Sequence, residues 1–337
     1  MLWFGSYTSE MGGEGSGLGT LRLDERGAVQ DVAGVTPAAS PSFLAFHPSL
    51  PVVYAVSESD GALLAFRADP AGPVPLGEPR AAGAAACHVA VSGAGEAAIV
   101  CCWGDGTVNV YELDDEGALA SDSRRAAASS DPHAALAGEP RQSRAHEAVF
   151  LPSGLVATTD LGHDVVRFWR LGAQSLELDH EVVLPFGCGP RHMAISAEGI
   201  LYVVTEFSIE VVVLAPDDAT ARYTIAGSSP VLPRPIDPDQ SGAEISLAGG
   251  LLYVTVRGAN RVAVLSVSGD GRVVAPLDDV DCAGDWPRHH LVHGDVLYVA
   301  NQRSGDVATF ELDERGIPGF VRSAPIGSPT VLAWREG

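Results

Sequence analysis

Arg191 and Glu206 sit in the stretch GPRHMAISAEGILYVVTEFSIEVVVL, which runs from Gly189 to Leu214. The stretch reads as strand, turn, strand. A hairpin therefore returns the start of the first strand and the end of the second to the same side, which places Arg191 beside Glu206. The same two places recur along the chain. The first-strand places hold Ser42, Cys87, His146, Arg191, Glu244, Arg288 and Thr330, and the second-strand places hold Glu58, Trp103, Asp160, Glu206, Arg257 and Gln302. Charges at the ends of otherwise apolar strands, gathered around one concavity, are the pattern of a site. An arginine offers a planar fork that fits carboxylate or phosphate, so Arg191, Arg257 and Arg288 point to an anionic small molecule. Equally, these arginines could pair with Glu58, Asp160, Glu206 and Glu244 as structural salt bridges. His146 is the histidine among these positions and can move a proton near neutral pH, or serve as a hydrogen-bonded structural residue. His192, His289 and His290 follow the arginines. His192 is a further candidate for substrate contact, and no metal site is expected from the group, because no carboxylate supports it at close spacing.

Such residues need a scaffold that repeats. Apolar runs of four to seven residues, rich in Val, Leu, Ala, Tyr and Phe, alternate with Gly, Asp, Ser and Pro clusters, which is an all-β signature. Related segments begin at Pro41, Ala86, Ala145, Pro190, Ala243 and Pro287, and a truncated one, PTVLAW, begins at Pro329. The first-strand places are separated by 45, 59, 45, 53, 44 and 42 residues. That spacing fits four-stranded propeller blades. The last segment has only one strand, and LWFGSYTS with LGTLRLDERGAV at the N-terminus can supply the others. The expectation is a seven-bladed β-propeller, one domain over residues 1–337, closed by strands from both ends. The long spacings hold ALASDSRRAAASSDPHAALAGEPRQSR and SSPVLPRPIDPDQSG, which read as surface loops near the mouth, as does the glycine-rich Gly12 to Gly19.

Bulk properties narrow the function. The chain of 337 residues carries 43 acidic side chains against 21 basic ones, all of them Arg, for a net charge of −22. That surface argues against binding to a phosphate backbone, so no nucleic-acid partner is expected. No apolar run approaches the length of a membrane helix and no secretory leader is evident, so no membrane partner and a cytoplasmic location are expected. The five cysteines, Cys87, Cys101, Cys102, Cys188 and Cys282, have no paired-ligand spacing and read as buried thiols. There is no GxSxG, HExxH or P-loop motif. The oligomeric state is not legible.

The segments also carry a resemblance. GSYTS, PSFLAFHPSLPVVYAVSE, RQSRAHEAVFLPSG, TTDLGHDVVRFW, GPRHMAISAEGILYVVTE, GAEISLAGGLLYVTVRGANRVAVL and WPRHHLVHGDVLYVANQRSGDVATF occur in order over essentially the whole chain. They resemble the seven-bladed propeller lactonases, the family of bacterial 6-phosphogluconolactonase and fungal carboxy-cis,cis-muconate cyclase. The resemblance implies hydrolysis of a sugar-acid lactone, 6-phosphogluconolactone above all, without cofactor or metal. Muconate-type cycloisomerisation and a non-enzymatic, ligand-binding propeller are the alternatives. It implies an active-site set of His146, Arg191, Glu206 and Arg257, with Glu206 or His146 activating water. Arg288 becomes a candidate for the phosphate, and Glu244, Asp160, Glu58, His192 and Gln302 for further contacts with an anionic lactone. Arg144 stands where the family commonly has a second histidine, and Thr205 and Val256 where it often has asparagine.

Overall fold

The structure, a computed structural model, describes residues 1–69, 72–120, 122–126, 130–172 and 175–336. Seven antiparallel sheets form a ring, each running outward from the axis. Blade 4 shows the plan: Pro190–Ile195 is innermost, followed by Leu201–Thr205, Glu210–Pro216 and Tyr223–Pro230. Blades 1, 2, 3, 5 and 6 begin with Pro41–Phe46, Ala86–Val91, Ala145–Phe150, Ser241–Ala248 and Pro287–His293. Blade 7 joins the chain ends. Pro329–Trp334 is its inner strand and pairs with Leu2–Ser6, from Leu2 opposite Trp334 to Gly5 opposite Val331, with a bulge that skips Thr330 before Ser6 meets Pro329. The closure expected from the truncated repeat is therefore present. It leaves no inner sheet edge open, the usual liability of a β fold.

Packing explains why the second strands are almost wholly apolar. The second strands of blades 1, 2 and 4 are buried along their whole length, because both faces of each sheet are covered by neighbouring blades. The buried apolar side chains fall into seven clusters, and each draws on two adjacent blades. Tyr202, Val204 and Val211 of blade 4, for example, pack with Leu252, Val254 and Ala263 of blade 5. The five cysteines are free and buried, four of them in these clusters and Cys87 beside the channel.

A second tie runs between blades. Tyr54, Tyr202, Tyr253 and Tyr298, each on a second strand, donate their hydroxyls to the carbonyls of Gly117, Gly271, Gly316 and Gly27 in the next blade, at 2.6–2.9 Å. Each of these glycines has a left-handed backbone, φ between 79° and 85° or, for Gly316, 76°, so a side chain there would be strained. The glycine sits in a tight turn; in the turns of Gly117, Gly316 and Gly27 an aspartate, Asp114, Asp313 or Asp24, accepts two backbone N–H groups.

The insertions differ from plain surface loops. The first supplies the outer strand of blade 2, Arg124–Arg125, and a single helical turn, Ala134–Ala137; its residues 121 and 127–129 lie outside the described residues. The second plugs the seam between blades 4 and 5 with buried Val231 and Leu232. The N-terminal glycine loop folds back on Tyr7, whose carbonyl accepts the Gly15 N–H at 2.9 Å. Among the described residues no helix is long and apolar enough to cross a membrane.

The interblade tyrosine tie is testable by urea unfolding. Tyr253→Phe leaves the Gly316 carbonyl without its donor and lowers stability by about 1–2 kcal/mol. Gly316→Ala costs more than Tyr253→Phe, because the new methyl must adopt the left-handed backbone and meets Leu251 Cδ1.

Candidate active site

A bulge at the start of the inner strands aims one side chain of each blade at the axis. Pairing with the second strand skips a residue between Pro41 and Phe43, Pro190 and His192, and Pro287 and His289; a shift also falls between Cys101 and Cys102. The residues freed this way include Arg191 and Arg288. A bulge turns its extra residue out of the ladder, and here the only space is the channel. The residues just before the inner strands of blades 1, 2 and 6, Ser40, Ala85 and Trp286, are left-handed despite having side chains, with φ of 43°, 51° and 66°. Gly189 holds the same place in blade 4. Their carbonyls accept the N–H groups of Glu58, Trp103, Gln302 and Glu206, which fixes the second-strand ends beside the bulges.

These two sets meet in one cavity. Cys87, His146, Arg191 and Arg288 from the inner strands join Glu58, Trp103, Glu206 and Arg257 from the second-strand ends, with Tyr7, around about 500 Å³ of empty space that includes its open mouth. Glu206 Oε2 is the hub: Arg191 Nε lies at 3.3 Å and Arg257 Nη2 at 3.0 Å. Each arginine also donates to the blade 5 backbone, Arg191 Nη1 to the Ala243 carbonyl at 2.7 Å and Arg257 Nη2 to that of Gly242 at 3.0 Å. Across the channel, Glu58 Oε2 accepts the Tyr7 hydroxyl at 2.8 Å and faces Arg288 Nη2 at 3.6 Å. The arginines thus form ion pairs and line the cavity at once.

Burial sets the protonation states. It lowers the Arg257 guanidinium to about 10 and pulls Arg191 down too, with Glu206 opposing the shift in both. Arg288 is shifted the other way: burial disfavours its charge, but Tyr7 and Glu58 outweigh that. All three stay protonated near neutrality. His146 is buried beside Arg191, His192 and Arg288, and burial first, then their charge, holds its imidazole well below the usual value. It is neutral at pH 7 and free to accept a proton. Three guanidiniums against two carboxylates leave the cavity one positive charge in a chain of net charge −22.

The register departs from the sequence reading at two of the expected rim positions. In blade 5, Gly242 pairs with Val256 and Ile245 with Val254, so Ala243 takes the rim position and Glu244 lies one residue deeper. There it accepts from His192 Nδ1 at 2.8 Å and faces His289 Nε2 at 3.1 Å. In blade 3, Asp160 pairs with Ala145, and Leu161 is the equivalent of Glu206, its N–H bonded to the Arg144 carbonyl. Asp160 is fully buried and accepts from Ser143 Oγ at 2.5 Å, Arg144 N at 2.8 Å and Arg167 Nη1 at 2.6 Å. It braces the turn into blade 3 and does not line the cavity. His192 is likewise below it, and Gln302 touches it only through Arg288 Nη1, at 3.5 Å.

Three features escaped the sequence reading. Tyr7 enters the cavity from the GSYTS segment. Under the rim lies a layer of buried His88, Glu147, His192, Glu244 and His289 with half-buried Phe43, which packs on three of its imidazoles. The column following each bulge residue, CH in blade 2, RH in blades 4 and 6, carries this signal. Two arginines lie flat on indoles at the mouth: Arg144 on Trp103 at 3.7 Å and Arg303 on Trp286 at 3.4 Å.

Comparison with known proteins agrees with this architecture. The chain is similar to the 6-phosphogluconolactonase of Bacillus subtilis, 26% identical over 325 residues, covering 93% of this chain and 91% of that protein. Among solved structures, the periplasmic gluconolactonase of Pseudomonas aeruginosa superposes with a TM-score of 0.87 at 23% identity, covering 98% of both chains. A Lactobacillus plantarum protein gives a TM-score of 0.85 at 24% identity over 97% of each chain. Residues 1–334 match the family described as "Lactonase, 7-bladed beta-propeller". With its ring closed by both termini and nearly its whole length matched, the chain belongs to the seven-bladed β-propeller lactonase family.

Proposed function

We propose that the protein hydrolyses a phosphorylated sugar-acid lactone, with 6-phosphogluconolactone as its substrate. The observation that carries the proposal is the meeting, in one cavity, of a neutral imidazole with a surplus of guanidinium charge. The similarity to the Bacillus subtilis 6-phosphogluconolactonase supports the choice of lactone.

Lactone hydrolysis needs a water stripped of a proton and a place for the negative charge that forms on the carbonyl oxygen. His146 takes the proton as water attacks the carbonyl carbon. Arg191 and Arg257 stabilise the resulting oxyanion. Glu206 is held by both guanidiniums, which suits it to fix their direction rather than to act as the base. Collapse of the tetrahedral intermediate breaks the ring C–O bond, and the His146 imidazolium returns its proton to the departing alkoxide. Arg288, oriented by Glu58 and stacked 4.8 Å from the Tyr7 ring, receives the phosphate.

Turnover of purified protein, measured above spontaneous hydrolysis, tests the assignment with 6-phosphogluconolactone, gluconolactone and muconolactone side by side. The phosphorylated lactone is turned over fastest, and EDTA leaves the rate unchanged. Faster conversion of muconolactone would replace the proposal with the cycloisomerase reading, and no turnover of any lactone would leave a ligand-binding propeller.

His146→Ala and Glu206→Gln each lower kcat by tens-fold or more. Arg288→Ala raises KM for the phosphorylated lactone at least about 10-fold, while gluconolactone is little affected, as expected for loss of a charged contact made only with phosphate.

The pH profile follows from the depressed His146 imidazole. The base works when unprotonated, so activity is lost as pH falls through its folded pKa. Because burial places that pKa below the ordinary value of about 6.5, the rate stays level through pH 6.5 and falls only in more acid solution. An acid limb centred at or above pH 6.5 would remove His146 from the role of base.

A further inference from the structure

His146 has an orphaned atom. Its Nδ1 is buried without a hydrogen-bond partner, and so is Nε2 of His192 in the layer beneath. The two rings lie with centroids 5.0 Å apart. Unpaired buried polar atoms are costly, and two on adjacent rings, one able to donate and one to accept, invite each other.

The bonds below decide which nitrogen carries which proton. Glu244 can only accept, so His192 keeps its proton on Nδ1, directed at Glu244 Oε2 at 2.8 Å, and presents a bare Nε2. His289 accepts the Leu332 N–H on Nδ1 at 3.3 Å, so its own proton is on Nε2, directed at the same Glu244 oxygen at 3.1 Å. The other oxygen, Oε1, accepts the Ile245 N–H at 3.1 Å. Glu244 thus accepts two hydrogen bonds and faces a third N–H group, a set of donors that suits an ionised carboxylate. The second acid of the layer, Glu147, is pushed well above the usual carboxyl range by burial and by Glu244, so it holds its proton. Glu244 is left as the layer's anion, and its charge acts on the Arg191 guanidinium on the cavity side.

We infer that Glu244 and His192 are positioning residues for the base. In this relay the two orphaned nitrogens, unbonded in the structure, close on each other by a small turn of the His146 ring, so that His146 Nδ1–H donates to His192 Nε2, while His192 Nδ1–H already donates to Glu244. The tautomer of His146 is thereby fixed with a bare Nε2 as the proton acceptor toward the cavity. When water gives up its proton to that nitrogen, the imidazolium that forms is balanced through His192 by the Glu244 carboxylate, and no proton leaves the relay. The arrangement has the logic of a base oriented by a third group. It rests on the reading of His146 as the base.

Glu244→Gln keeps an acceptor for His192 but removes the charge. It lowers kcat by about 10- to 100-fold with KM changed less than about threefold. It also moves the acid limb of the kcat profile to lower pH, because the imidazolium loses its counter-ion while Arg191, Arg288, His88 and His192 still face it. A merely structural role would not give the third result: in a His146→Ala background, Glu244→Gln causes no further loss. Independent losses that multiply in the double variant overturn the relay. If His146→Ala alone keeps full turnover, the base assignment fails instead, and ¹⁵N NMR of the histidines decides the relay separately. That spectrum is expected to show His146 protonated on Nδ1 in the native protein and a mixture of tautomers in His192→Phe. Protonation on Nε2 in the native protein, or an unchanged spectrum in His192→Phe, overturns the inference. The native-protein spectrum also holds the test open if Glu244→Gln does not fold.

Discussion

Every blade of this protein must cover both faces of its sheet with its neighbours, and that requirement governs the rest. A sheet with two buried faces has nowhere to place polar side chains except at its ends and along the axis. The second strands are therefore almost wholly apolar away from their ends, and the seven interblade seams form the core. Closure through Leu2–Ser6 and Pro329–Trp334 completes the covering, since an open ring would expose two apolar faces at once. The charged strand ends gather in the channel, where bulges turn them out of the ladders.

The same packing makes the channel dry enough for its charges to matter. Arg191 and Arg257 are almost fully buried, and a buried guanidinium is tolerable only with close partners. Glu206 and two backbone carbonyls of blade 5 supply them. These contacts join blades 4 and 5 at the rim just as Val204 and Val254 join them within the seam, so the site is also part of the interface. Burial without a carboxylate partner has the opposite consequence for His146, which is held neutral. One environment thus keeps the arginines charged and the imidazole uncharged, the division of labour that acyl transfer to water requires.

Depth along the axis separates roles. At the rim, bulges deliver the cavity-lining side chains. One residue further along the inner strands the chain delivers a histidine- and glutamate-rich layer with little exposure, where each neutral imidazole has its proton directed by a neighbour. The flat-lying Arg144 and Arg303 mark the outer limit, where cations rest on indoles in partial contact with solvent.

Much of this could be read from residues in order. The spacing of PSFLAF, PRHMAI and PRHHLV counted the blades, and the lone strand PTVLAW required a partner from the other terminus, because a propeller blade cannot end unpaired. The recurrence of Arg and Glu at strand ends located the mouth, and His146, Arg191, Glu206 and Arg257 meet there as their positions implied. What the sequence could not supply was the register. A one-residue slip in a strand reverses which face a side chain occupies, and the bulges introduce such slips without a fixed sequence mark. Glu244 therefore lies beneath the rim, Ala243 holds the place it was expected to fill, and Asp160 braces a turn while Leu161 takes the rim position. Tyr7, distant in sequence from Glu58 and Arg288, joins them only because the ring closes. Local patterning determined the strands, their number and the chemical types at their ends; only the closed tertiary structure decided which of those ends share a cavity, since that depends on backbone pairing and on burial that no short stretch contains.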